Sequence, residues 1–472
     1  MYNHANQYRC TIIRGKSQTE MDNLLPLYAS VIDNICPCKA EDFTLLFNDA
    51  FSSAFSVPSS KKTLDNHRTE IAGQLFGMYY ADKDGMIYPS PRTLKFLSDS
   101  DTPAFFKDIC YKMQFPNGSQ KINTVKERID NKINIRQFPF VIKVMLLAKS
   151  NNETLTKKDI GYYILNSLNV LQGIANPLEV YDAIVLDKKN GVVRSVGSGS
   201  NANQHINEQI NLLELANLVI IDGQEVAVNS REMATLELFA EKYGEVPAFD
   251  VYSYDLEQAE ERKNFYSDWN YYFAQLSEPA TAAVNNFDTS AEALGVVVET
   301  ESENDASDIS GVSKVEIGDE GERYVFEYEK RRVSEFNFRL ANKVIHLGKT
   351  RGLGFDIQSV VAKSGEYAEF VKYIEVKATK RVTAPNINSP DWIDTISMTR
   401  NEWIASQQHK DSYSIFRVYF VRDSVIMFVL TDIAQKYKNN LIQAVPTTYR
   451  LDFKNNAVDE VINQESEVLT NA

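Results

Sequence analysis

Four cysteines in 472 residues are too few and too scattered for a disulfide framework. Cys36 and Cys38 do lie close, but a Cys-Pro-Cys run without a histidine or second cysteine pair beside it is not a metal-binding pattern, so buried or incidental thiols are expected. The five histidines stand singly, and His346 and His409, with no partner near them in the chain, are expected in surface or capping roles. No apolar run approaches the roughly eighteen residues of a membrane helix, and Met1 to Gln18 is polar, so the expectation is an unprocessed cytoplasmic protein with no membrane partner. A nucleotide-hydrolysis signature is also lacking. Gly348-Lys-Thr350 ends like a phosphate loop, but Lys343 stands where the spaced glycine belongs.

A basic surplus is missing too, since the formal net charge is −14. The excess acid lies before residue 276 and, most densely, in 276–317, while the chain beyond is nearly balanced. Local patches rather than net charge decide phosphate contact, so nucleic-acid binding is left open. What is present is a globular composition, 43% hydrophobic and 11% aromatic. At this length several domains are expected, each able to bury its own core.

Residues 1–150 read as a helical, winged-helix-like DNA-binding region. Helical spacing runs from Glu20 to Phe55, a helix over Thr63–Gln74 follows, and Leu75–Tyr80 with Met86–Pro89 forms a hairpin around Asp84-Gly85. The same order recurs in 151–275. Thr156 caps a helix, Glu179–Leu186 and Asn203–Leu215 are two more, and Asn217–Asn229 turns at Asp222-Gly223. Helices followed by a two-stranded wing suit duplex DNA, and the pair resembles the DNA-reading parts of modular restriction enzymes. Lys61, Lys62, His67, Arg68, Lys121, Lys126, Arg128, Asn203 and Gln204 are the candidate DNA contacts; for the basic strip around Lys126 a solvated helical face is an equal alternative. Tyr243–Gln275 is expected to be mostly helix, its aromatics packed rather than base-stacking. Residues 276–317, rich in small polar residues and acids, read as a linker.

The chemistry concentrates in 318–472. Gly352-Leu-Gly-Phe-Asp-Ile357 and Tyr373-Ile-Glu-Val-Lys-Ala-Thr379 alternate apolar and polar residues on either side of a turn at Ser364-Gly365, as two antiparallel strands would. Ile374, Val376 and Ala378 then face a core, while Glu375, Lys377 and Thr379 face the other way. Asp356 and Glu375 offer hard oxygens for Mg²⁺, with Mn²⁺ as a substitute, and Lys377 could orient a water attacking a phosphodiester. A further acid from a preceding helix would complete the set, and Glu322 is preferred over Glu329, seven residues on and on the same face.

Gly321-Glu322, Gly354-Phe-Asp356-Ile, Ile374-Glu-Val-Lys377 and Thr399-Arg-Asn-Glu-Trp403 together resemble the domain at the C-terminus of NO VEIN proteins, within the PD-(D/E)XK restriction-endonuclease-like superfamily. The resemblance implies an αβββαβ core in an α+β multidomain chain. It also implies a nuclease in which Asp356, Glu375 and Lys377 are the signature and Glu322 the helix acid, acting in bacterial restriction or antiphage defence. Phe355-Asp356 replaces the proline-aspartate of the superfamily's name. The expected function is therefore metal-dependent cleavage of duplex DNA, with a homodimer supplying the second strand's site and a methylase or helicase partner left open. The alternatives are a catalytically inactive DNA-binding or assembly subunit, and a nuclease acting on RNA.

Overall fold

Local chemistry starts the helices of the N-terminal half. Ser17 caps Gln18–Ile35 in a box with Glu20, Ser90 and Pro91 open Pro91–Asp99, and Asp101 opens Thr102–Lys112. Thr156 forms a capping box with Asp159 ahead of a short helix that continues through Ile160–Leu165 with π-helical bonding. The computed structural model describes residues 2–13, 15–54, 60–197, 201–277, 317–348, 352–364, 368–446 and 449–465. Nearly all of the expected linker, and Gly365 of the expected turn, lie outside them.

Two hairpins stand where turn chemistry placed them. Tyr79–Ala81 pairs with Met86–Pro89 across Gly85, and Val219–Asp222 pairs with Glu225–Val228 across Gly223, both glycines having the left-handed backbone that a side chain disfavours. Short strands at Cys38–Lys39 and Leu155–Thr156 add a third member to each. The first hairpin strand is shorter than expected, because Ile71 and Leu75 bury into the core and the helix runs on to Leu75. Of the helix expected over Tyr243–Gln275, Ala259–Ala274 forms, with Gly244 and Pro247 in the irregular stretch ahead of it. Buried apolar side chains from Cys10 to Phe273 make one continuous core, which both helix-and-hairpin groups share across residue 150. Trp269 and Phe273 lie inside it, in line with the packing role expected of these aromatics.

The C-terminal part opens with the helix Ile317–Phe336 and a sheet whose strands lie side by side in chain order. These are β1 (Ile345–His346), β2 (Ile357–Val360), β3 (Val371–Lys380), β4 (Tyr413–Val421), β5 (Ser424–Thr431) and β6 (Glu460–Glu465). All neighbours are antiparallel except β3 and β4, which run parallel with Glu375 opposite Ile415 and Lys377 opposite Arg417. A parallel pair needs a long crossover, here the strand Asp394–Met398 and the helix Arg400–His409. One face of the sheet packs on Ile317–Phe336 through Val325, Val333, Ile374 and Val376, and the other on the crossover through Trp392, Ile396 and Ala405. β4 is buried at every position, Ser414 and Arg417 included, as befits a central strand covered on both faces.

The two halves touch through the end of β3. The carbonyl of Ser100 accepts from the Thr379 hydroxyl at 2.9 Å and the Lys380 N–H at 3.0 Å. Asp22, buried on the Gln18–Ile35 helix, accepts from the hydroxyl and N–H of Thr383 and faces Arg381 at 3.8 Å. Arg422, beyond β4, donates to Asn217 and to the carbonyl of Val219. Among the described residues no helix is long and apolar enough to cross a membrane.

Candidate active site

Alternation along β3 sorts its side chains as the pattern required: Ile374 and Val376 point into the core under Ile317–Phe336, and Glu375 and Lys377 point into a cleft beside Arg400–His409. The helix can lie close because Gly321 faces Ala378. A Cβ built on Gly321 would stand 2.5 Å from the Ala378 Cβ, so glycine lets the backbone sit against the strand and delivers Glu322 to the cleft. Glu329 is used differently. It is fully buried between Arg332, Lys372 and the Ser359 hydroxyl, holding the helix to the sheet far from the cleft.

Asp356 sits one residue ahead of β2. Its N–H donates to the Ile374 carbonyl and its Oδ2 accepts the Val376 N–H at 2.8 Å, which fixes the carboxyl beside Glu375 and Lys377. Gly354 makes this approach possible, with a φ of 78° and a place against the carbonyl of Asn401 where a Cβ would collide. The Tyr413 hydroxyl donates to the Gly354 carbonyl from β4.

The cleft, about 380 Å³, thus gathers all four candidates: Glu322, Asp356, Glu375 and Lys377. Burial, and then repulsion from Glu322, pushes the Asp356 carboxyl up to about 6, against the pull of the Val376 N–H and Lys377. Burial drives Glu375 well above the ordinary carboxylate range, with Asp356 and Glu402 adding to it and Lys377 opposing. Burial works to deprotonate Lys377, but Glu375 at 2.7 Å and Glu402 at 2.8 Å outweigh it and hold the ammonium above the usual lysine range. Acids outnumber bases here, and Asp356 and Glu375 ionise reluctantly, first because they are buried and then for want of positive charge.

A hard divalent cation would answer that want, and Mg²⁺ needs only one or two carboxylates beside water and phosphate oxygens. Asp356 and Glu375, with Glu322 across the cleft, fit that donor chemistry. Among the described residues no group of three or more His, Cys, Asp or Glu converges into a ready-made cage.

Two residues bonded to side chains of the cleft were given no part in the site from sequence. His346 does have a partner, contrary to expectation: its Nε2 lies 2.8 Å from Glu322 Oε2, and that bond raises its affinity for a proton. Only folding brings β1 to the helix, so no local signal marked it. Glu402 carried a signal, the Thr-x-x-Glu capping box, which spoke of a helix start and not of a lysine partner. His409 packs against Tyr373, the rings tilted by 33° with centres 4.0 Å apart. The far wall of the cleft comes from the N-terminal half, through Pro26, Ser30 and Phe96 to Ser100.

The candidate DNA contacts divide by exposure. Lys61, Lys62, Lys121, Asn203 and Gln204 are exposed. His67 is buried on the Tyr28 hydroxyl, and Arg128 is buried against Phe115 while donating to Gln120 and Thr11. Lys126 pairs with Glu257, and Arg68 with Asp65 and Asn48. Of the expected basic strip, Arg128 therefore braces the domain from within, while Lys126 lies in a surface ion pair.

Comparison with known proteins matches each half. Residues 2–270 match the family described as restriction endonuclease BpuJI, N terminal, and residues 321–430 that of protein NO VEIN, C-terminal. The solved BpuJ1 endonuclease binding domain, in complex with pyrene- and phenanthrene-modified DNA, is 49% identical. The likeness spans 58% of this chain and all of that one, with a TM-score of 0.56. No curated protein matches.

Proposed function

Because the chain belongs to the family of the restriction endonuclease BpuJI N-terminal region, we propose that it is a DNA endonuclease: its N-terminal half binds duplex DNA and its C-terminal half hydrolyses the backbone. The observation that carries the second half of this reading is the gathering of Asp356, Glu375 and Lys377, with Glu322, in one cleft. DNA binding rests on the family and on the likeness to a DNA-bound domain. The two hairpins serve as wings, with the exposed Lys61, Lys62 and Asn203 among the groups available to the duplex.

Asp356 and Glu375, with Glu322, are the residues that would hold Mg²⁺ or Mn²⁺, which would supply a more acidic water and charge for the crowded phosphate. The Lys377 ammonium orients the water for in-line attack on phosphorus, as the bond to the departing sugar oxygen breaks. Cutting both strands calls for two such sites and hence a paired arrangement of chains.

A second reading, a non-catalytic DNA-binding or assembly subunit in defence, draws on the want of a three-ligand group among the described residues and on the lysine already seated on Glu375. One experiment separates the two. Plasmid and phage DNA are incubated with the protein and Mg²⁺, Mn²⁺ or EDTA, beside Asp356→Ala and Lys377→Ala. The nuclease reading expects metal-dependent cutting that falls by at least about 100-fold in each variant while DNA is still bound. Cutting by K377A at the parent's rate would end it, and retained DNA binding with no divalent-cation binding in calorimetry would favour the subunit.

A further inference from the structure

The catalytic candidate Lys377 is held by two carboxylates, and only one of them belongs to the metal-binding candidates. Its Nζ lies 2.7 Å from Glu375 Oε1 and 2.8 Å from Glu402 Oε2. Glu402 reaches it from another element, the first turn of Arg400–His409, and its side chain is 13% exposed within the same cleft. The rotamer of Glu402 is set by its own helix: Oε2 accepts the Thr399 N–H at 3.0 Å while the Thr399 hydroxyl accepts the Glu402 N–H.

We propose that Glu402 is the positioning residue of Lys377, an inference that rests on the nuclease reading above and states how that site keeps its lysine in place. A divalent cation held by Glu375 would compete with the Lys377 ammonium for its oxygens and so weaken the hold of Glu375 on Lys377. A lysine on a flexible four-carbon stem then swings free unless a second anchor remains. Glu402 is that anchor, because its carboxylate is fixed by a helix N-terminus rather than by the sheet. Helix capping does not account for its charge, since glutamine serves a capping box equally well. The capping explanation and the positioning explanation therefore part at Glu402→Gln, which keeps the cap and removes the anion.

The test uses full-length parent, E402Q, K377M and the double variant, read by melting temperature, plasmid cleavage in Mg²⁺ and Ca²⁺ titration calorimetry. E402Q is expected to melt with the parent and to lose about 10- to 100-fold in kcat, with KM for DNA little changed. Ca²⁺ affinity should also fall in E402Q, because Lys377 settles back on Glu375, whereas in the K377M background the same change should leave it within about two-fold. Parent-like cleavage by E402Q would overturn the inference while the nuclease reading stands. So would an equal loss of Ca²⁺ affinity in both backgrounds, which marks a plain charge effect. If the parent binds Ca²⁺ without cutting, that calorimetric cycle alone decides whether Glu402 positions Lys377. A parent that does neither brings down the nuclease reading and this inference together.

Discussion

The acid side chains of the cleft are where a stability measurement reads the site most directly. Asp356 ionises at about 6 in the folded chain and at 3.8 by its ordinary value, so between those limits the folded state holds a proton that the unfolded state has released. A raised carboxyl pKa makes folding less favourable as pH climbs, so without a cation stability should fall from about pH 4 to pH 7, by on the order of 2 kcal/mol. Glu375 acts in the same direction. Urea unfolding in EDTA at pH 4.5 and pH 7 checks this. Asp356→Asn should flatten the dependence, and Mg²⁺ should stabilise the parent more at pH 7 than at pH 5. An unaltered slope in D356N would rule out Asp356 as its source. Glu375 was legible in sequence because alternation along a strand fixes which side chains share a face, whereas Asp356, expected within a strand, stands one residue ahead of β2. His346 was not legible, since its contact with Glu322 depends on an edge strand two residues long folding back on a helix.

At the scale of elements, the site depends on how closely the helix Ile317–Phe336 rides on β3. Gly321→Ala gains about 1 kcal/mol of helix propensity. It also forces a methyl to within 2.5 Å of the Ala378 Cβ, and overpacking of that kind costs about 1–3 kcal/mol. The clash should win. Differential scanning calorimetry is expected to show a lower melting temperature, with cleavage reduced because Glu322 is lifted from the cleft. Ala378→Gly placed with Gly321→Ala should recover part of both, and no recovery would mean that the helix seats by other contacts. Thr399→Ala, which removes a cap, should cost about 1 kcal/mol. Helices and hairpins were readable because caps and turn glycines act locally. The shortened strand at Tyr79 and the broken helix after Tyr243 were misjudged because buried Ile71 and Leu75, and Gly244 with Pro247, overrode the wider pattern.

For the molecule as a whole, what matters is how the halves sit. Phe96 to Ser100 of the N-terminal half wall one side of the cleft that holds Glu375 and Lys377. The Arg381 partnership with buried Asp22 and the bonds from β3 to Ser100 hold the wall where it is. Arg381→Ala leaves Asp22 without its cation and should loosen the contact. A larger radius of gyration by X-ray scattering and faster proteolysis between the halves are expected, and parent-like values for both would place the hold elsewhere. Sequence alone determined which acids and which lysine are the candidates for the chemistry and which elements carry most of them, because alternation, caps and turns are written within a few neighbouring positions. Only the tertiary structure decided that His346 meets Glu322, that Glu402 enters the cleft, that Arg128 and His67 turn inward, and that the N-terminal half forms one wall. Each of these depends on which buried surfaces meet, and that is set by packing across the whole chain rather than by any short stretch of it.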